Sequence, residues 1–119
     1  MQDRFELNLL FDYYGAFLTD TQRDILRLSC DEDLSLSEIA EQRGISRQGV
    51  RDALTRAEKT LTEFEQRLGL IKRDRCAIEL IAAVRTEAEV LLDKTKPENT
   101  PLFSKLNYLS ELMEGNDGV

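Results

Sequence analysis

The sequence predicts an all-α protein: a helix-turn-helix bundle with a long recognition helix, followed by C-terminal helices. Three observations carry this. Apolar residues recur at three- and four-residue spacing through most of the 119 residues, the mark of amphipathic helices. No segment shows the alternation of a strand, and none is repetitive or of low complexity. Residues 34–61, LSLSEIAEQRGISRQGVRDALTRAEKTL, satisfy in order the steric demands of two helices crossing closely around a tight turn.

Phe5, Leu9, Tyr13 and Ala16 form one row of a first helix; Leu7, Leu10, Phe11, Tyr14, Phe17 and Leu18 form a second. So wide an apolar face places this helix centrally in the core. Thr19-Asp20-Thr21-Gln22 then has the form of a capping box, the threonine hydroxyl accepting from the third backbone amide and the glutamine reaching back. The helix it opens buries Ile25, Leu26 and Leu28 and ends in the acidic run Cys30-Asp31-Glu32-Asp33.

In the motif itself, Leu36, Ile39 and Ala40 supply the inward side of the first helix, Ala40 being the small residue that a close crossing requires. Gly44 makes the turn, where the backbone needs φ > 0. Ile45 plugs the gap between the helices, Ser46 caps the second, and Val50, Ala53 and Leu54 anchor it. That second helix runs on: Val50, Leu54, Ala57, Leu61, Phe64, Leu68 and Ile71 alternate fours and threes, a heptad seam with a period of about 3.5 residues. The motif core covers only its first turns. Leu61, Phe64, Leu68 and Ile71 therefore need a further partner, either the next helix folding back or a second copy in a homodimer.

Gly69 reads as a C-terminal stop, which divides the chain into a helix-turn-helix domain over residues 1–69 and a C-terminal helical extension over residues 70–119. In the extension a helix from about Ile71 to Asp93 has the middle CAIELIAAV, apolar nearly all round and expected to be buried on more than one side. Lys94 to Asn99 is a linker, Pro97 ending the preceding region. Thr100-Pro101 fits an N-cap followed by proline at the first helical position. Leu102, Leu106, Leu109 and Met113 stripe a last helix that Gly115 stops.

Composition narrows the chemistry. Histidine is absent, so the commonest general base and the commonest zinc ligand are both missing. There is no GxSxG, no P-loop and no glycine-rich nucleotide turn. Asp31-Glu32-Asp33 lacks the glycine and the ligand spacing of a calcium loop. No catalytic residue, metal or cofactor is expected. Cys30 and Cys76 stand alone and read as reduced thiols packed in the core of a cytoplasmic protein. No apolar run reaches the roughly 18 residues that suggest a membrane span, and MQDRFELNLL lacks the layout of a signal peptide.

The net charge is -7, but it is uneven. Over residues 1–33 eight acids face three bases, over 34–75 nine bases face seven acids, and over 76–119 eight acids face four bases. The motif thus occupies the only basic third. Arg47, Gln48, Gly49, Arg51, Asp52 and Thr55 are the early exposed positions of its second helix, those that meet base edges in a DNA reader. Arg47 and Gln48 are of the types that read guanine and adenine with paired hydrogen bonds. Arg51, Arg56 and Lys59 are suited to phosphates. With Ser46 and Thr55, these are the candidate nucleic-acid-binding residues. Gly49 offers no side chain. Asp52 repels phosphate unless it accepts from a cytosine amino group or pairs with an arginine, Arg56 being four residues on. A solvated face knitted by internal ion pairs is the alternative reading of these charges.

The stretch LLFDYYGAFLTDTQRDILRLSCDEDLSLSEIAEQRGISRQGVRDALTRAEKTL resembles the YlxM family, and its motif resembles the last helix-turn-helix, region 4, of the main bacterial sigma factors. Tyr13-Tyr14, Leu18-Thr19-Asp20, Asp31-Glu32-Asp33 and Ser46-Arg47-Gln48 carry the likeness, which covers roughly residues 9–68. The resemblance implies a small helical protein encoded beside the GTPase of the signal recognition particle and accessory to that particle. Its expected partners are the particle's RNA and/or its GTPase, and no enzyme activity is implied. A transcription regulator binding duplex DNA is the alternative. Two surplus positive charges are few for an interface dominated by phosphates, so the isolated protein is expected to bind weakly, a partner's surface adding affinity. RNA would be touched through phosphates, 2′-hydroxyls and exposed loops, its major groove being too narrow for a helix.

Overall fold

The computed structural model of the chain describes residues 4–114. Among them are six α-helices and no strand: α1 (Arg4–Tyr14), α2 (Asp20–Cys30), α3 (Leu36–Arg43), α4 (Arg47–Leu68), α5 (Leu70–Leu91) and α6 (Thr100–Glu114). Short 3-10 turns span Gly15–Phe17 and Pro97–Asn99. The elements group into two compact units, Met1–Gly69 and Leu70–Val119. Gly115, the expected stop of the last helix, lies outside the described residues.

In the first unit, local chemistry sets where each helix begins. Thr19 opens α2 with both bonds of the capping box, its hydroxyl accepting from the Gln22 amide at 3.2 Å and the Gln22 side chain accepting from Thr19 N–H at 3.4 Å. Ser35 and Glu38 repeat the device at α3, at 3.1 and 2.9 Å. The Ser35 amide and hydroxyl hold the Glu38 carboxyl below the ordinary range. The stability this adds is therefore present above the usual glutamate pKa and lost as pH falls through the lowered value. The α2–α3 loop closes with Leu34 N–H donating to Leu28 C=O at 3.1 Å. Within it Asp33 takes φ = 56°. Arg4 secures the loop by donating to the Asp33 carboxylate and to the Ser29 carbonyl.

Ile25 and Leu28 of α2, Ile39 and Ala40 of α3 and Val50 of α4 form one buried cluster, with Leu34, Leu36, Ala53 and Leu54 packed against it. Ala40 lies where the crossing needs a small side chain. Farther along α4, Leu61 is fully buried and Phe64 half-buried. Within this unit Phe64 is covered by the end of α1 and the turn after it. Tyr14, also fully buried, stacks on Phe64 with ring centroids 5.8 Å apart and 15° between planes, and its hydroxyl donates to Glu65 Oε1 at 2.5 Å. Phe17 approaches the same ring at 5.4 Å.

The first helix buries less than its sequence suggested. Leu7, Leu10, Tyr14 and Leu18 are buried, whereas Phe5 is 73% and Phe17 64% exposed. A helix on the outside of a bundle covers one stripe, and a second apolar row falls at or beyond its edge.

The turn glycine has the expected conformation. Gly44 sits at φ = 69°, ψ = 33°, its N–H donating to Ala40 C=O, and nothing lies within 4 Å of where a Cβ would stand. A substitution there is penalised by backbone strain alone. Gly44→Val is expected to cost about 1–3 kcal/mol, and Gly44→Asn less, because asparagine tolerates the left-handed region. Equal thermal unfolding of Gly44→Val and parent would remove the turn from this position.

The second unit pairs α5 with α6 through Ala88, Phe103 and Leu106. CAIELIAAV is not buried on several sides: Leu80 is 66% and Val84 42% exposed, and Cys76, expected in the core, is exposed too. One partner helix covers one side of α5 only. Thr100 does not act as an N-cap. At φ = -55°, ψ = -44° it is already helical, since the Pro97–Asn99 turn runs straight into α6. Upstream, Asp93 accepts from the Thr95 hydroxyl and backbone amide at 2.6 and 2.9 Å, and these bonds hold its carboxyl below the usual range.

Candidate nucleic-acid interface

The chain reverses between α3 and α4 in three residues. Gly44 and Ile45 both donate backbone N–H to Ala40 C=O, Ile45 at 3.1 Å, and Ser46 leaves in an extended conformation. The Ser46 hydroxyl accepts from Gly49 N–H at 2.9 Å, fixing the direction in which α4 departs. Ser46 is thus engaged as a cap. Gly49 has a structural reason as well. A Cβ there would stand 3.2 Å from Ser46 Oγ and 3.7 Å from Ile45 Cδ1, so a side chain would crowd the cap. Ile45 does not plug the interhelical gap: it is 43% exposed at the rim, beside Gly49, because Ile39 and Val50 already fill the interior.

Val50 and Ala57 point inward and are fully buried, which turns the opposite side of α4 to solvent. Arg47, Gln48, Arg51, Thr55, Arg56 and Lys59 are all exposed there. Arg47, Arg51 and Thr55 follow one another at four-residue steps and so stand in line along the helix. Arg51 and Thr55 also edge an open cleft floored by Leu34, Leu36 and Leu54. Leu61, Phe64 and Leu68 belong to the packing side: Leu61 is buried, Phe64 half-buried, and Leu68, at the helix end, 54% exposed. Ile71, in the second unit, is buried.

Charge on this face is arranged differently from the rest of the unit. Arg23 pairs with Asp20, Arg27 with Asp24, and Arg43, at the end of α3, reaches Asp24 at 3.7 Å. Arg47, Arg51, Arg56 and Lys59 pair with no carboxylate among the described residues. The internal ion pairs of the alternative reading are not formed. Asp52 does not pair with Arg56 either; its Oδ1 accepts from Gln48 Nε2 at 2.9 Å. Gln48 precedes Asp52 by four residues as Arg56 follows it by four, so spacing alone does not choose between them. The result is four cations without a carboxylate partner and one carboxylate tied to a neutral amide, with a second, Glu58, lining the cleft beside Arg51 and Thr55. Such a surface attracts phosphate and offers hydrogen-bonding groups at its centre.

The sequence did not single out Ser35 or Arg43. The first was legible in the pattern Ser35-x-x-Glu38. The second was not, since its partner Asp24 lies on another helix. Cys30 carries no reactive thiolate: burial pushes its thiol up to about 11, so it stays protonated near neutral pH. No helix among the described residues is long and apolar enough to cross a membrane.

Comparison with known proteins places this surface in a family context. Residues 1–100 match the family described as "UPF0122: Putative helix-turn-helix protein, YlxM / p13 like". A UPF0122 protein of Desulforamulus reducens is 51% identical over 73 residues, 61% of this chain and 62% of that relative. One from Thermoanaerobacter sp. strain X514 is 42% identical over 101 residues, 84% of this chain and 86% of the relative. One from Clostridium perfringens strain 13 is 44% identical over 114 residues, 96% of each chain.

Proposed function

The chain belongs to the UPF0122 family of YlxM/p13-like helix-turn-helix proteins, and on that footing we propose that it is a non-catalytic regulatory protein that binds nucleic acid through α3 and α4 and acts in the cytoplasm as an accessory of the signal recognition particle. The observation that carries the nucleic-acid half is the set of four unpaired cations on the exposed face of α4, presented by a capped and rigidly turned helix pair. The particle, its RNA and its GTPase enter through the YlxM resemblance. Leu68, 54% exposed at the end of α4, is the part of the seam we assign to a second copy of the chain.

A second reading, a transcription regulator on duplex DNA, is favoured by one feature: Arg47 and Gln48 stand at the very start of an exposed recognition helix, where major-groove readers place their base contacts. One comparison separates the two. The protein is titrated, at one fixed salt concentration, with the particle's RNA, with its GTPase and with genomic duplex fragments. Preferential binding of the RNA, the GTPase or both supports the accessory role. Selective binding of particular duplex fragments, with neither particle component retained, replaces it with the regulator.

A further inference from the structure

We propose that Asp52, held in place by Gln48, determines base specificity on this face: its carboxylate accepts a hydrogen bond from an exocyclic amino group, that of cytosine before adenine. The proposal rests on the nucleic-acid reading above and adds which base edge the surface selects.

Local stability gives only a small reason for this carboxylate, the Gln48–Asp52 hydrogen bond across one turn of exposed helix. Asp52 is the sixth residue of α4, beyond the first turn where an acid complements the positive end of a helix. It forms no ion pair with any described residue, although Arg56 stands one turn away. Its one hydrogen-bond partner is the neutral Gln48 amide at 2.9 Å, on the exposed face of the helix. Amid Arg47, Arg51, Arg56 and Lys59, a negative charge also weakens attraction to phosphate. It helps binding only where the ligand brings a donor to it.

The hydrogen-bond inventory says which donor. Gln48 spends one N–H on Asp52 Oδ1 and keeps a second, so the pair offers two neighbouring acceptors, Asp52 Oδ2 and Gln48 Oε1, beside one remaining donor. Guanine presents only acceptors, N7 and O6, on its major-groove edge, and thymine presents O4 and a methyl group. Neither brings a donor to the Asp52 carboxylate, whose charge repels their acceptors. Cytosine presents the N4 amino group alone. Adenine presents N6 beside the acceptor N7, which a carboxylate opposes. On the major-groove edge of a duplex the order is therefore cytosine, adenine, then the other two. An unpaired base in an RNA loop exposes its Watson–Crick edge as well, where guanine offers N1–H and its N2 amino group, so there guanine joins cytosine.

The test uses the full chain and two probe pools: duplex DNA with a randomised stretch, and RNA hairpins with a randomised loop. Parent, Asp52→Asn and Gln48→Ala are compared after matched thermal unfolding confirms that all three are folded. The parent is expected to enrich cytosine at one position of the duplex pool, or cytosine or guanine at one position of the loop pool, and the pool that enriches identifies the source. Asp52→Asn should lose about tenfold discrimination at that position while binding unselected sequence more tightly, because a charge that repels phosphate is gone. A merely structural role produces no such divergence of affinity and selectivity. Gln48→Ala, which frees the carboxylate to rotate, should blunt the preference less. An unchanged preference in Asp52→Asn, or an equal loss on every sequence, overturns the assignment while leaving nucleic-acid binding intact. If no pool is retained by the folded parent at low salt, the nucleic-acid reading fails and this inference with it.

Discussion

Leu61→Ala is expected to destabilise the first unit by about 3 kcal/mol, a large share of the stability of a small domain. Leu61 has no exposed surface and lies a full two turns beyond the helix-turn-helix core, about one turn before Phe64. Removing its side chain leaves a void at that fully buried position. Phe64→Ala should cost less, although it deletes more atoms, because Phe64 is only half-buried. Denaturant titration reads both, as a lowered midpoint with an unchanged slope. Hydrogen exchange should show α1 amides losing protection in step. A loss under about 0.5 kcal/mol for Leu61→Ala would put it among ordinary surface changes and dissolve the seam. Sedimentation of the same samples separates the two sorts of cover. An unchanged mass leaves the loss within the chain; a halved mass shows that the void also loosens a contact between copies elsewhere on the surface.

What was legible in the sequence was local. Two helices around Gly44, the cap at Ser46, the inward phase of Val50, Ala53 and Leu54, and hence the outward phase of Arg47, Arg51 and Thr55, all follow from spacings of three and four and from one residue that must take φ > 0. The capping box at Thr19 was read, and the identical one at Ser35 was there to be read. Long-range pairing was not legible. Tyr14 and Glu65 are 51 positions apart, and no periodicity announces that the hydroxyl of one meets the carboxylate of the other. The wide apolar face of α1 and the uncovered seam of α4 were both visible, yet nothing in the pattern joined them. Apolarity was also mistaken for burial. Ile45, Phe5 and CAIELIAAV satisfy helical patterns, but the number of neighbouring helices limits how many faces are covered. On the reading face, spacing fixed which side chains emerge and left open how they pair. Asp52 chose Gln48 over Arg56, and the charge available to a ligand depends on that choice.

That charge is what the second large effect measures. Binding of nucleic acid through Arg47, Arg51, Arg56 and Lys59 releases counterions, with a log-log salt slope of roughly -0.9 per duplex phosphate neutralised and about -0.7 per phosphate in single strands. Four cations set a shallow slope, on the order of -2 to -4, and weak affinity for the isolated protein. Arg47→Ala combined with Arg51→Ala removes half of them and should bring the slope to about -1 to -2, with binding at low salt reduced at least tenfold. Folding should be nearly unaffected. Both side chains are exposed, neither forms an ion pair among the described residues, and Val50 and Leu54 beneath them are untouched. Loss of binding with a retained slope would point to a buried polar contact in place of phosphates. The decisive outcome is the opposite one, a fully folded double variant that binds DNA and RNA as the parent does. The exposed cations of α4 would then touch no phosphate, and the helix-turn-helix would serve as a scaffold presenting this face to a protein, the proposed GTPase being the first to test against the same pair of substitutions.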